Sequence, residues 1–89
     1  MPPSSERTAA LPENVALHAR PAGSFVRDAA QFAADVVVAA NGKRANAKSI
    51  LEVLALGATG GTELTLSASG DDAAEAVDHL AALVPRLAE

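Results

Sequence analysis

Cysteine is absent from this 89-residue chain, as are tryptophan and tyrosine, and two phenylalanines are its whole aromatic complement. Without cysteine there is no disulfide staple and no thiolate metal site. His18 and His79 stand far apart in the sequence and lack zinc-ligand spacing, so neither a metal nor a cofactor is expected. Aromatics are too few to stack bases, and a net charge of −4 argues against nucleic acid as the main partner. Long hydrophobic runs are missing too. The longest apolar-leaning stretch, residues 33–40, contains Asp35 and cannot span a bilayer, so no membrane insertion is expected. Residues 1–5 are polar and proline-rich, unlike a signal peptide, and a cytoplasmic location is the expectation. A single domain of this length buries roughly 60% of its unfolded surface, which leaves no room for a deep enclosed site beside a core. Any chemistry is therefore surface chemistry, with machinery lent by a partner.

Against that background one stretch stands out: Leu17-His18-Ala19-Arg20-Pro21-Ala22. Downstream, Ala22, Phe25, Val26, Ala29 and Ala33 recur at helical spacing, which predicts a helix over residues 19–32 with His18 at its N-cap. Proline is tolerated in a first helical turn, because the N–H it lacks would have no partner there. The remaining N–H groups of that turn, with the positive end of the helix dipole, form an anion site. Arg20 adds a fixed charge and a planar donor fork suited to phosphate oxygens. A nucleophilic imidazole beside an anion site points to acceptance of a phosphoryl group on nitrogen. Each residue also has a plainer reading: His18 as a cap, Arg20 as a solvated charge, Pro21 as a helix-start signal.

Residues 1–5 read as a flexible tail and 6–89 as one domain. A weak strand signal covers residues 7–11. Residues 35–40 read as a strand, Asn41-Gly42 as a two-residue hairpin turn and residues 43–47 as the return strand. Ser49-Ile50-Leu51-Glu52 is a capping-box signature opening a short helix that Gly57 ends. Residues 63–69 alternate, turning Leu64, Leu66 and Ala68 to a core. Gly70-Asp71-Asp72 is a turn and cap, and a last helix carries Ala73, Ala76, Val77, Leu80, Leu83, Val84 and Leu87 on one face, interrupted by Pro85. The order βαββαβα predicts an α+β fold, a four-stranded antiparallel sheet with helices on one face. His79 falls one step off the apolar stripe and reads as a surface residue.

Positive charge gathers early, in Arg20, Arg27, Lys43, Arg44 and Lys48, while Glu63, Asp71, Asp72, Glu75 and Asp78 acidify the last third. If Arg20, Arg27 and Lys48 share a face, that face suits an acidic protein partner. Otherwise they form a scattered, solvated surface.

Together with Asn41-Gly42-Lys43, Ala47-Lys48-Ser49-Ile50-Leu51, Leu56-Gly57 and the strand at 63–69, the His18 motif resembles the HPr family. These are histidine-containing phosphocarrier proteins of the bacterial phosphoenolpyruvate:sugar phosphotransferase system. The resemblance implies an open-faced β-sandwich with three helices on one face. It also implies that His18 takes a phosphoryl group from phosphorylated enzyme I through Nδ1 and passes it to IIA proteins or domains, with Arg20 steadying the group. Docking on the first two helices implies a partner surface of Ala19, Ala22, Arg27, Lys48, Ser49, Leu51 and Leu54. Ser49 reads as a helix N-cap, and the resemblance implies a second role for it, regulatory phosphorylation in bacteria possessing HPr kinase/phosphorylase. A carrier that visits several partners is expected to be a monomer.

Three residues depart from the family's habit: Ala16 where glycine is common, Gly23 where serine or alanine is usual, and Glu52 beside the docking patch. The alternative reading is an HPr-like regulatory module of nitrogen or carbon control, whose phosphorylation state selects its partners. A stand-alone enzyme fits least, since no paired-carboxylate site is evident and Gly57-Ala58-Thr59-Gly60-Gly61 lacks the lysine and helix of a P-loop.

Overall fold

The computed structural model describes residues 2–88. Its elements in order are β1 (Ser4–Ala10), α1 (Ala19–Ala29), β2 (Asp35–Ala40), β3 (Lys43–Asn46), α2 (Ile50–Ala55), β4 (Glu63–Ser69) and α3 (Ala73–Leu83), followed by a 3-10 turn at Val84–Arg86. The strands form one antiparallel sheet in the order β1-β4-β2-β3. Side chains that alternate along β2 and β4 put Val36, Val38, Leu64, Leu66 and Ala68 on one face, where they are buried beneath the helices. Phe25 of α1, Val53 of α2 and Val77 and Leu80 of α3 complete that core. The other face is solvated and carries Glu6, Thr8, Glu63, Thr65 and Arg44. This is the open-faced α+β sandwich expected from the element order.

Local chemistry accounts for most of the boundaries. Asn41 and Gly42 both take positive φ, 55° and 75°, as a type I′ hairpin turn demands. Ser49 Oγ accepts from the Glu52 amide at 3.3 Å and so caps α2. The expected capping box is only half made, because Glu52 Oε1 turns instead to the Asn46 amide at 2.9 Å. Pro85 ends α3 at Leu83, and the 3-10 turn carries Val84 into the core. Leu83 is only half-buried, unlike the rest of its predicted stripe.

Two boundaries and one cap differ from expectation. Within the expected tail, Met1 lies outside the described residues, but Ser4 and Ser5 already pair with Ser69 and Ala68 of β4. Strand β1 has little propensity of its own and is recruited by that ladder, a long-range effect with no local signal. Helix α1 stops at Ala29 rather than Phe32. Gln31 and Phe32 donate to carbonyls three residues back, Asp28 and Ala29, and side chains from distant elements take the next groups. Lys48 Nζ donates to the Phe32 carbonyl at 2.7 Å, and the Asp72 carboxylate accepts from the Ala33 and Ala34 amides at 2.8 and 2.7 Å. Asp72 stands at the N-cap position of α3, yet its side chain caps the entry to β2 instead.

Candidate functional site at the start of α1

His18 is the N-cap residue of α1, extended at φ −84° and ψ −174°, and exposed. Its carbonyl accepts the first helical bond, from the Ala22 amide at 2.9 Å. Of the four amides a helix start leaves without an intrahelical partner, that of His18 donates back to Ala16 at 2.8 Å and Pro21 has none. The Ala19 and Arg20 amides follow His18 in the same first turn. No acidic residue lies in the first turn of α1, whereas Glu52 sits in that of α2 and Glu75 in that of α3. No carboxylate of its own first turn therefore offsets the positive end of the α1 dipole, which exposed Arg20 reinforces. Pro21, Ala22 and Phe25 are buried and fix the helix to the core, so the exposed residues at its start are held by a rigid element.

The segment before His18 is held by backbone bonds to the loop between α2 and β4. Leu11 N donates to Thr62 O at 3.0 Å, Gly61 N to Pro12 O at 3.2 Å and Leu17 N to Ala58 O at 2.9 Å. Ala16 needs no unusual backbone here: among the described non-glycine residues only Asn41 takes a positive φ.

The partner surface implied by resemblance divides on inspection. Ala19 and Arg27 are exposed, and Arg20 and Arg27, seven residues apart, lie on one side of α1. Leu51 is 77% exposed and, with Ile50 at 38%, forms the exposed large apolar patch on α2. Ile50 was not singled out in the sequence, because beside the capping serine it reads as one more apolar helix residue. Leu54 is half-buried against the core. Ala22 requires correction: it is completely buried and presents nothing to a partner. Lys48 is half-buried with its amine on the Phe32 carbonyl, so its charge serves the fold first and the basic face reduces to α1.

His79 is exposed as expected, but it also has a partner. Its Nε2 lies 2.8 Å from Asp28 Oδ2, and its ring tilts against Phe32 with centroids 5.5 Å apart, so it joins α3 to α1. Asp28 is 51 residues away in sequence, beyond any local pattern. Among the described residues, no group of three His, Cys, Asp or Glu is placed to hold a metal ion, and no helix is long and apolar enough to cross a membrane.

The structure thus presents an exposed imidazole at the start of a rigid helix whose first turn carries no acidic residue, on an open-faced sandwich. The family model described as the PTS HPr component phosphorylation site matches residues 5–86, and the chain belongs to the HPr family. Phosphocarrier protein HPr of Vibrio cholerae is 51% identical over 71 residues, covering 80% of this chain and 84% of that protein. HPr-like protein Crh of Bacillus subtilis is 48% identical over 68 residues, covering 76% and 80%. The solved structure of a phosphocarrier protein HPr from Bacillus anthracis superposes with a TM-score of 0.85 at 37% identity, covering 91% of this chain and 96% of that one.

Proposed function

We propose that this chain is a phosphoryl carrier in which His18 forms a transient phosphohistidine and which has no turnover of its own. The observation that carries the reading is the placement of His18 at the N-cap of α1, whose first turn holds Arg20 and no acidic residue. The imidazole Nδ1 attacks the phosphorus of phosphorylated enzyme I; a new N–P bond forms as the donor's bond to phosphorus breaks. Transfer to an IIA protein or domain reverses these roles, with the IIA nucleophile attacking and His18 leaving. The amides of Ala19 and Arg20 and the Arg20 guanidinium stabilise the oxygens through which the charge passes. Because the site is open, neither the loaded nor the unloaded state is held tightly, which suits a carrier.

Partners dock on α1 and α2, with Leu51 and Ile50 as the apolar contact and Arg20 and Arg27 facing acidic groups. The protein acts in the cytoplasm, as one domain and as a monomer. Ser49, whose hydroxyl caps α2, is also open to a regulatory kinase such as HPr kinase/phosphorylase. A phosphate there adds about −1.5 to −2 charge next to Leu51 and hinders docking. The regulatory alternative draws on the likeness to Crh; an imidazole placed on the anion-receptive end of α1 favours the carrier.

The test is a two-step transfer. The chain is loaded by enzyme I and phosphoenolpyruvate, separated and then mixed with an IIA protein. Transfer of label to the IIA protein supports the carrier role. Label that stays on the chain contradicts it and favours the regulatory module.

A further inference from the structure

In the α2–β4 loop, Gly60 lies against the backbone of the turn that precedes His18. An ideal Cβ built on Gly60 would fall on the Glu13 carbonyl oxygen, with the Glu13 carbonyl carbon at 2.6 Å and the Pro12 oxygen at 3.2 Å. These atoms are backbone and cannot swing aside as the tip of a flexible side chain would. Gly60 does not have a positive φ, so its lack of a side chain matters here for space rather than for conformation. The peptide it touches belongs to a tight turn in which Val15 N donates to Pro12 O at 3.1 Å, and that same oxygen accepts from Gly61 N at 3.2 Å. Two residues beyond the turn, Leu17 N is tied to Ala58 O at 2.9 Å, and His18 follows immediately.

Resting on the carrier reading above, we infer that Gly60 is a positioning residue for phosphoryl acceptance by His18. It lets the turn at residues 12–15 seat on the α2–β4 loop, and the backbone bonds transmit that seating to Leu17 and His18. The loop is thereby part of the apparatus that aims the imidazole, although none of its side chains need touch the phosphoryl group. A methyl group at Gly60 displaces the Pro12–Glu13 peptide and pulls on the segment that sets where Nδ1 stands relative to the Ala19 and Arg20 amides. The apolar patch of Ile50 and Leu51 on α2, and Arg27 farther along α1, take no part in these backbone bonds, so the loss is expected in kcat.

The experiment compares Gly60→Ala with the wild type and with Gly23→Ala, whose added Cβ would meet nothing within 4 Å. Phosphorylation by enzyme I is followed under steady state, with amide spectra recorded for all three. The expected result for Gly60→Ala is a kcat lower by on the order of 10- to 100-fold, as misplacement by about 1 Å costs. Its KM is unchanged, and shifts are centred on Leu17, His18, Ala19 and Arg20. A folded Gly60→Ala with wild-type kcat, or with a raised KM alone, overturns the inference. A wild type that takes no phosphate on His18 overturns the carrier reading itself, and the inference with it. If Gly60→Ala does not fold, amide exchange in the wild type decides. The Leu17 and Gly61 amides are expected to be protected together, and free exchange at both overturns the linkage.

Discussion

The Asp72 carboxylate takes two backbone N–H groups from the segment between α1 and β2, and the first of these, from Ala33, is the main reason its pKa lies below the ordinary carboxylate value. Partial desolvation opposes the shift, while the Ala34 amide, its own amide and the Lys48 charge add to it. A carboxyl whose folded pKa is depressed contributes stability that is fully present above the unfolded-chain value. That contribution is lost as pH falls through the folded value. Asp72→Asn is therefore expected to lower the melting temperature near neutral pH and to narrow its gap to the wild type under acid, measured by thermal melts across the acid range. A gap that stays constant with pH contradicts the assignment. In the sequence, Gly70-Asp71-Asp72 reads as a helix cap, and the residue does stand at that cap position. What it binds lies 38 and 39 residues away, and no local spacing reports such a contact. The same is true of Lys48 with Phe32 and of His79 with Asp28. His18 and Arg20 were legible because a capping residue, a proline and the first apolar turn are adjacent in the chain.

At the scale of the element, α1 carries Gly23 at an interior position where glycine costs about 1 kcal/mol against alanine. No atom lies where the added Cβ would go. Gly23→Ala is expected to raise stability by about 0.5–1 kcal/mol, read from urea unfolding at unchanged m-value. Helix α2 offers the complementary case. Leu51 is 77% exposed, so Leu51→Ser leaves the fold within about 0.5 kcal/mol of wild type. If α2 is the docking helix, the same change raises the KM of transfer about five- to tenfold with kcat preserved, the loss of a contact of roughly 1 kcal/mol. An unchanged KM removes Leu51 from the surface. Periodicity predicted α1 and its start, but not its end, where side chains on the β3–α2 connection and at the start of α3 satisfy the backbone. The same limit hid the burial of Ala22. A small residue beside an exposed motif reads equally well on either face, and its burial is settled by tertiary packing.

At the scale of the whole molecule, the sheet order β1-β4-β2-β3 places the His18 segment between an edge strand and the first helix, over a loop that itself precedes the central strand β4. The element order and alternation at residues 63–69 were sufficient to predict a one-sided sheet. The lacing of that loop to the His18 segment was not, because it runs entirely through backbone atoms. A domain this small keeps its chemistry at the surface, and the account rests on one nitrogen there. The direct test is intact mass after incubation with phosphoenolpyruvate and enzyme I, with His18→Ala alongside. The account predicts one added phosphoryl group on the wild type, labile to acid and absent from the variant. A phosphoryl group that persists on a folded His18→Ala chain would contradict it.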